Sequence, residues 1–238
     1  MIPTLLSFVK ENRGFADEFG IFEIGHTVDG LRADGTCNEQ NKLGVALYSK
    51  ISSEEALFLR LRDVALEITS NLLHKEASFE SCETDFDYQH PTNTFALKVD
   101  GTRVGTLSVP HPTVLANIDK KCAVAFLEIE TEKFASVPAA KNSYAEPSKF
   151  PSIDIDLTFT ASVSELDFPS VRKIAFEKVG EALVAVNCKD IYEKDGVSSV
   201  TLRFTFSSRE KTLSKQELTP HIDLLIESLA PLGLTFKA

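Results

Sequence analysis

The sequence predicts an α+β protein of two modules. The first is an antiparallel sheet carrying helices; the second is a smaller unit in the order strand, helix, strand, strand, helix, strand. Three observations carry this. Apolar residues alternate at the two-residue period of strands in several segments, and recur at spacings of three and four in a few others. The dipeptides Asp100-Gly101 and Asp195-Gly196, which tolerate the positive φ of a type I′ turn, each separate two strand-like segments. A stretch over residues 135–151, rich in Pro, Ala and Ser and poor in periodicity, divides the chain near Ser148 into modules of residues 1–147 and 148–238.

In the first module, Leu5, Leu6, Phe8 and Val9 give one apolar helical face. Residues 19–28 read as a strand, the Gly/Asp/Asn-rich stretch 29–41 as a loop, and residues 43–48 as the next strand. Ser52 and Glu55 have the spacing of a capping box and open a long helix, with Phe58, Leu61, Ala65, Ile68 and Leu72 as its apolar stripe. Residues 95–99 and 103–109 form a hairpin about Asp100-Gly101, and residues 123–131 a further strand.

The second module opens with residues 155–161, where Leu157 and Phe159 alternate with Thr158 and Thr160. Pro169 suits the first turn of a helix with Val171, Ile174, Ala175, Val179, Ala182 and Leu183 on one face. A strand over 186–192 turns through Asp195-Gly196 into 199–207. There Val200, Leu202, Phe204 and Phe206 face one way, and Ser199, Thr201, Arg203 and Thr205 the other. Ser214 and Glu217 form a second capping box, opening a helix that is apolar at Leu218, Ile222, Leu225, Ile226 and Leu229; residues 232–236 close the order as a short strand. This is the split βαβ, or ferredoxin-like, arrangement. The name implies no iron–sulfur cluster, and the lone Cys188 could not hold one.

Composition narrows the function classes. The 238 residues are 43 % hydrophobic and 25 % charged, as in ordinary globular proteins. No apolar run approaches the ~20 residues that span a bilayer, and the first residues lack the basic flank and apolar core of a secretory signal. A net charge of −10 argues against a generic nucleic-acid coat. The charge is uneven: residues 147–238 hold 11 Lys/Arg against 13 Asp/Glu, so a polyanion would prefer this part and bind through local contacts. Cys37, Cys82, Cys122 and Cys188 are widely spaced and are expected to be reduced and semi-buried, as in a cytosolic protein. The five His have no metal-ligand spacing, and no metal site is expected.

Two helices cover only one face of a four-stranded sheet. The other face of the second module carries Thr158, Thr160, Asp190, Tyr192, Ser199, Thr201, Arg203 and Thr205. A polar face with a Tyr and an Arg suits single-stranded RNA, whose bases stack on aromatic rings and are read at their edges. A Thr-rich face also fits a merely solvated sheet surface.

Asp190-Ile191-Tyr192, Ser199 opening an alternating strand, and Lys211-Thr212-Leu213-Ser214-Lys215-Gln216-Glu217 together resemble the end of the β chain of bacterial phenylalanine–tRNA ligase, a ferredoxin-fold anticodon-binding domain. Pro3-Thr4-Leu5-Leu6, Asn12, Ile21-Phe22-Glu23-Ile24-Gly25, His90-Pro91, Gly105 and His111-Pro112 resemble the class II synthetase-like, non-catalytic module of the same β chain. Essentially the whole chain is covered, in order.

The resemblance implies the C-terminal part of a longer β chain, with Met1 an internal position or the start of an excised piece, the alternative being a truncated stand-alone paralogue. The parent complex would be an aminoacyl-tRNA ligase using ATP and magnesium. This part would hold neither, and no catalytic residue is expected in it. Its implied partners are the tRNA(Phe) anticodon stem-loop and the catalytic α subunit, with no membrane and no DNA, in the cytoplasm. Carried over by position, Asp190, Tyr192 and Ser199 match family residues that contact anticodon bases, and Arg203 shares their face. The sequence departs from the family in a short hairpin over 193–198, in Ile155 where Arg is usual, and in Thr205 and Ser207 at places often held by Arg. The strand over 21–24 also lacks the Arg that pairs the ATP α-phosphate in working enzymes of this class, and no Gly-x-Gly occurs. Without a cationic clamp, little would stabilise the charge of adenylate formation. The competing expectation is a protein-interaction module of the same fold that touches no RNA, toward which the −10 charge leans. A free-standing enzyme lacks a nucleophile–base or paired-carboxylate constellation.

Overall fold

Six antiparallel strands organise the first module of this computed structural model, which describes residues 1–141, 146–162, 166–194 and 197–237. They are β1 (Glu18–Leu31), β2 (Cys37–Ser49), β3 (Ala77–Ser81), β4 (Gln89–Val99), β5 (Thr102–Pro110) and β6 (Ala123–Glu130), in the spatial order β1-β2-β6-β5-β4-β3. Helices α1 (Ile2–Asn12), α2 (Glu54–Leu73), α3 (Pro112–Ile118) and α4 (Thr131–Ser136) accompany them. On one sheet face, Ile2, Leu5, Leu6 and Val9 of α1 pack on Ala46, Tyr48, Val124 and Phe126. On the other, Leu57, Leu61 and Ala65 of α2 pack on Leu97, Leu107, Ala125 and Leu127. The central strand β6 is therefore apolar at successive positions, because both its faces are covered.

Several expectations for this module change. The stretch 29–41 is mostly strand: β1 runs to Leu31 and β2 starts at Cys37, leaving a turn held by Asp34, whose Oδ1 accepts from Thr36 N at 3.0 Å. A two-stranded ribbon beyond the helices buries neither face, so its pairing needs no apolar alternation. Helix α2 is capped by Ser53, whose Oγ accepts from Ala56 N at 3.1 Å; Ser52 Oγ instead donates to Glu18 Oε1 at 2.5 Å. The buried stripe is Leu57, Leu61, Ala65, Thr69 and Leu73; Phe58 and Ile68 flank it, and Leu72 is 63 % exposed. Both stripes have helical spacing, and the sheet underneath selects between them.

Other features hold. Asp100 and Gly101 have φ of 50° and 77°, the type I′ pattern. At Gly105 a Cβ would collide with the Glu128 carbonyl oxygen, so the close approach of β5 to β6 requires glycine there. Each His of the two His-Pro pairs bonds locally: His111 caps α3, its Nδ1 accepting from Thr113 N at 3.3 Å, and His90 Nδ1 accepts from Thr92 N at 3.2 Å within β4. All four cysteines are free; Cys82 and Cys122 are half-buried, whereas Cys37 and Cys188 are exposed, against the expectation of semi-burial.

The chain divides into two compact units, Met1–Ser143 and Tyr144–Ala238. The second comprises β7 (Ile153–Thr160), α5 (Phe168–Val179), β8 (Leu183–Lys194), β9 (Val197–Phe206), α6 (Lys215–Leu229) and β10 (Thr235–Phe236), with sheet order β10-β7-β9-β8. Val200, Leu202, Phe204 and Phe206 are fully buried beneath Val171, Ala175, Leu218 and Leu225 of the two helices. Helix α5 ends earlier than its apolar pattern suggests: Gly180, at φ 72°, turns the chain out, so Ala182 lies in a 3-10 turn and Leu183 begins β8. Likewise β10 starts at Thr235, with Leu232 in a 3-10 turn. The Asp195-Gly196 turn lies outside the described residues. The second capping box is present, with Ser214 N donating to Glu217 Oε2 at 2.9 Å and Glu217 N to Ser214 Oγ at 3.4 Å. Ser148 is fastened to this unit, its Oγ donating to the Ser208 carbonyl at 2.6 Å.

Candidate nucleic-acid interface

Strand register lays the open face of the second unit out in rows. Tyr192, Ser199 and Thr160 lie opposite one another on β8, β9 and β7; next come Asp190, Thr201 and Thr158; then Asn187, Arg203 and Asp156; then Ala185, Thr205 and Asp154. All four residues singled out by sequence (Asp190, Tyr192, Ser199 and Arg203) thus share the face turned away from α5 and α6. Residues directly opposite on antiparallel strands have Cβ atoms ~4.5–5.5 Å apart, so Tyr192 and Ser199 are immediate neighbours. Tyr192 is 58 % exposed, Asp190 is exposed and Ser199 half-buried.

Arg203 is on this face but not free. Its Nε donates to Asp156 Oδ1 at 2.7 Å and its Nη2 to Oδ2 at 2.9 Å, while Nη1 lies 3.3 Å from Asp154 Oδ2. Lys189 Nζ donates to the same Asp156 Oδ2 at 2.5 Å. Hydrogen bonds from Arg203 and then Lys189 hold the Asp156 carboxyl well below the usual carboxylate range, and Asp156 in turn raises the Arg203 guanidinium. A bidentate guanidinium–carboxylate pair has already used the fork that would grip a phosphate.

Sequence reading left out Asp154 and Asp156, which continue the alternation of Thr158 and Thr160 along β7, and missed three further participants, Asn187, Lys189 and Lys237. Strict alternation along residues 186–192 puts Val186, Cys188, Asp190 and Tyr192 on one side. A bulge between Cys188 and Asp190 breaks that parity, so Val186 is buried in the core while Asp190 and Tyr192 face outward. The bulge turns Asn187 to the open face and lets Lys189 reach Asp156. Lys237, just past β10, donates from Nζ to Ser199 Oγ at 2.6 Å. No local pattern signals these; each depends on which strand lies alongside. Among the described side chains, Asp154, Asp156 and Asp190 balance Lys189, Arg203 and Lys237, so the face carries no net charge. It is equipped to stack and to hydrogen-bond rather than to attract a polyanion at long range.

In the first unit, the β1 segment Ile21-Phe22-Glu23-Ile24 presents no cation; Phe22 and Ile24 are 74 % and 69 % exposed on this edge strand, followed by Val28 at 60 %. Among the described residues no group of three His, Cys, Asp or Glu is placed to hold a metal ion, and no helix is long and apolar enough to cross a membrane.

Two family models match the chain: phenylalanyl tRNA synthetase beta chain CLM domain over residues 1–131, and ferredoxin-fold anticodon binding domain over residues 148–236. The phenylalanine–tRNA ligase beta subunit of Syntrophotalea carbinolica is 22 % identical over 254 residues, covering 100 % of this chain and 31 % of its own length. That of Geobacter sulfurreducens is 29 % identical over 165 residues, covering 68 % of this chain and 20 % of its own, and that of Solibacter usitatus is 25 % identical, covering 100 % and 30 %. The chain thus spans 31 % or less of the length of these relatives. Among solved structures, pyrrolysyl-tRNA synthetase from Desulfitobacterium hafniense aligns over 56 % of this chain and 46 % of its own at a TM-score of 0.43 and 19 % identity.

Proposed function

The chain belongs to the phenylalanyl-tRNA synthetase beta chain family, and from that premise we propose that it supplies anticodon recognition and subunit scaffolding to an ATP-dependent phenylalanine–tRNA ligase in the cytoplasm. The observation that carries the RNA half is the row Tyr192–Ser199, with Asp190 in the adjoining row. The exposed Tyr192 ring stacks on an unpaired anticodon base. Asp190, as a carboxylate, accepts from the amino or imino edge of a base and would repel phosphate. Ser199 donates or accepts beside it. Arg203 acts as a positioning residue, tying β9 to β7 through Asp154 and Asp156.

The first unit serves the other half. Phe22, Ile24 and Val28 on edge strand β1 offer an apolar strip suited to packing against the catalytic α subunit. ATP and magnesium are handled by that subunit, because the β1 segment has no cation to pair a phosphate.

Titration of a tRNA(Phe) anticodon stem-loop into the purified chain tests the reading, with a stem-loop of altered anticodon as control. Binding that prefers the cognate loop supports it; equal or absent binding overturns the RNA half. In that case the second reading stands, a protein-interaction module favoured by the −10 charge and the apolar β1 strip. In parallel, the chain alone should give no phenylalanine-dependent ATP–pyrophosphate exchange; measurable exchange would refute its non-catalytic role.

A further inference from the structure

Lys237 stands at the Tyr192 end of the open face, held there by the sheet. Its backbone N donates to the Thr158 carbonyl at 2.9 Å, continuing the pairing of β10 with β7 by one residue. Its neighbour Phe236 turns the other way, with its ring 5.9 Å from that of the core residue Phe159. Strand alternation therefore sends the Lys237 side chain to the open side, where Nζ reaches over β7 to Ser199 Oγ at 2.6 Å. Since Ser199 lies opposite Tyr192, an aromatic ring, a hydroxyl and an ammonium follow one another across the face.

The charge pattern sets Lys237 apart. Lys189 and Arg203 are paired with Asp156, and Arg203 also with Asp154. Among the described residues, no carboxylate is paired with Lys237. An ammonium has three donors, and Ser199 takes one, which leaves two for an anionic ligand without breaking an ion pair. A nucleotide carries its base at one end and its phosphodiester at the other, so a base stacked on Tyr192 brings backbone oxygens over the neighbouring strands. The lysine also orients the hydroxyl. Ser199 Oγ already accepts from Nζ, so its own proton is free to point outward, toward an acceptor atom of a base.

We propose that Lys237 is the phosphate contact of this RNA-binding face and sets Ser199 as a hydrogen-bond donor toward the bound base. This rests on the reading that the open face binds the anticodon loop. The test uses the full chain and the tRNA(Phe) anticodon stem-loop, with affinity measured across a salt series. Lys237→Met, which keeps the apolar stem, should weaken binding about 5- to 10-fold near 0.1 M salt. It should also flatten the plot of log K against log salt by about 0.7, the share of one phosphate contact to a single strand. Lys237→Arg should restore the slope. Ser199→Ala should weaken binding with the slope unchanged, because the ammonium remains. Thermal melting confirms that each variant is folded at the measuring temperature.

An unchanged slope and affinity for folded Lys237→Met, in a series where wild type binds and Tyr192→Ala binds more weakly, would overturn the role of Lys237 while leaving the anticodon face in place. Absence of binding by wild type would overturn both. A loss of affinity in Lys237→Met with no change of slope would show an uncharged packing role and so reject the phosphate contact.

Discussion

Replacing Tyr192 by Ala removes the one large ring among the described residues of the open face and is the most direct perturbation of the proposed site. Stacking of a base on an aromatic side chain is worth ~1–3 kcal/mol by alanine substitution, so affinity for the stem-loop should fall by roughly 5- to 150-fold. The folding cost is bounded separately. Tyr192 is 58 % exposed, so less than half of its side chain is covered in the free protein. Applied to the ~150–250 Å² an aromatic side chain buries when fully enclosed, ~25 cal/mol per Å² places the loss of stability at no more than about 2.6 kcal/mol. In a unit of this size that lowers the melting temperature by up to about 20 °C and leaves the variant folded at 25 °C. Because no phosphate contact is removed, the salt dependence should stay as in wild type. The assay is a stem-loop titration of both proteins at two salt concentrations, with thermal melting alongside. Equal affinities for a wild type that binds would refute stacking. A larger collapse in melting temperature would mean that the ring is a packing residue.

Three further outcomes are expected. Asp156→Asn should release Arg203 and Lys189 from their shared carboxylate, tightening stem-loop binding a few-fold at low salt and losing that gain near ~0.5 M, where charges are screened; weaker binding at low salt would contradict the view that Arg203 is occupied. The Glu217 carboxyl is held down at about 2 by Lys211, with further help from the backbone and hydroxyl of Ser214. A depressed carboxylate stabilises the fold above its unfolded value near 4.5 and loses that contribution as pH falls toward about 2, so the melting difference between wild type and Glu217→Gln should be full at pH 6 and close between those limits; a pH-independent difference would exclude the ion pair as its source. Limited proteolysis should cut between the modules on the N-terminal side of Ser148, whose hydroxyl is bonded to the Ser208 carbonyl, and leave a stable C-terminal piece of about ninety residues, within the ~50–250 of a domain; first cuts inside either sheet would reject the boundary.

Much of this protein is legible before folding, because local physics decides it. In β9 the two-residue period alone sorts Val200, Leu202, Phe204 and Phe206 inward and Ser199, Thr201, Arg203 and Thr205 outward, and all four apolar residues are fully buried. Asp100-Gly101 and the Ser214–Glu217 box work the same way, since each is a bond or a dihedral within a few residues. The order strand, helix, strand, strand, helix, strand is likewise written along the chain, and with it the existence of an open face.

The chemistry of that face depends on contacts between segments far apart in sequence. Asp156 and Arg203 are 47 positions apart and meet because β7 lies beside β9; Lys237 and Ser199 are 38 apart and meet because β10 pairs with β7. The bulge at Lys189 arises where β8 pairs with β9, and it breaks the parity that reading along β8 assumes. The same holds for α2, where two stripes of helical spacing share Leu61 and Ala65, and the sheet selects the one completed by Leu57, Thr69 and Leu73. A periodicity tells which residues share a side, because that follows from the backbone of one segment. Which cations on that side stay unpaired is settled by the strands brought next to it, and so emerges only once the sheet is assembled.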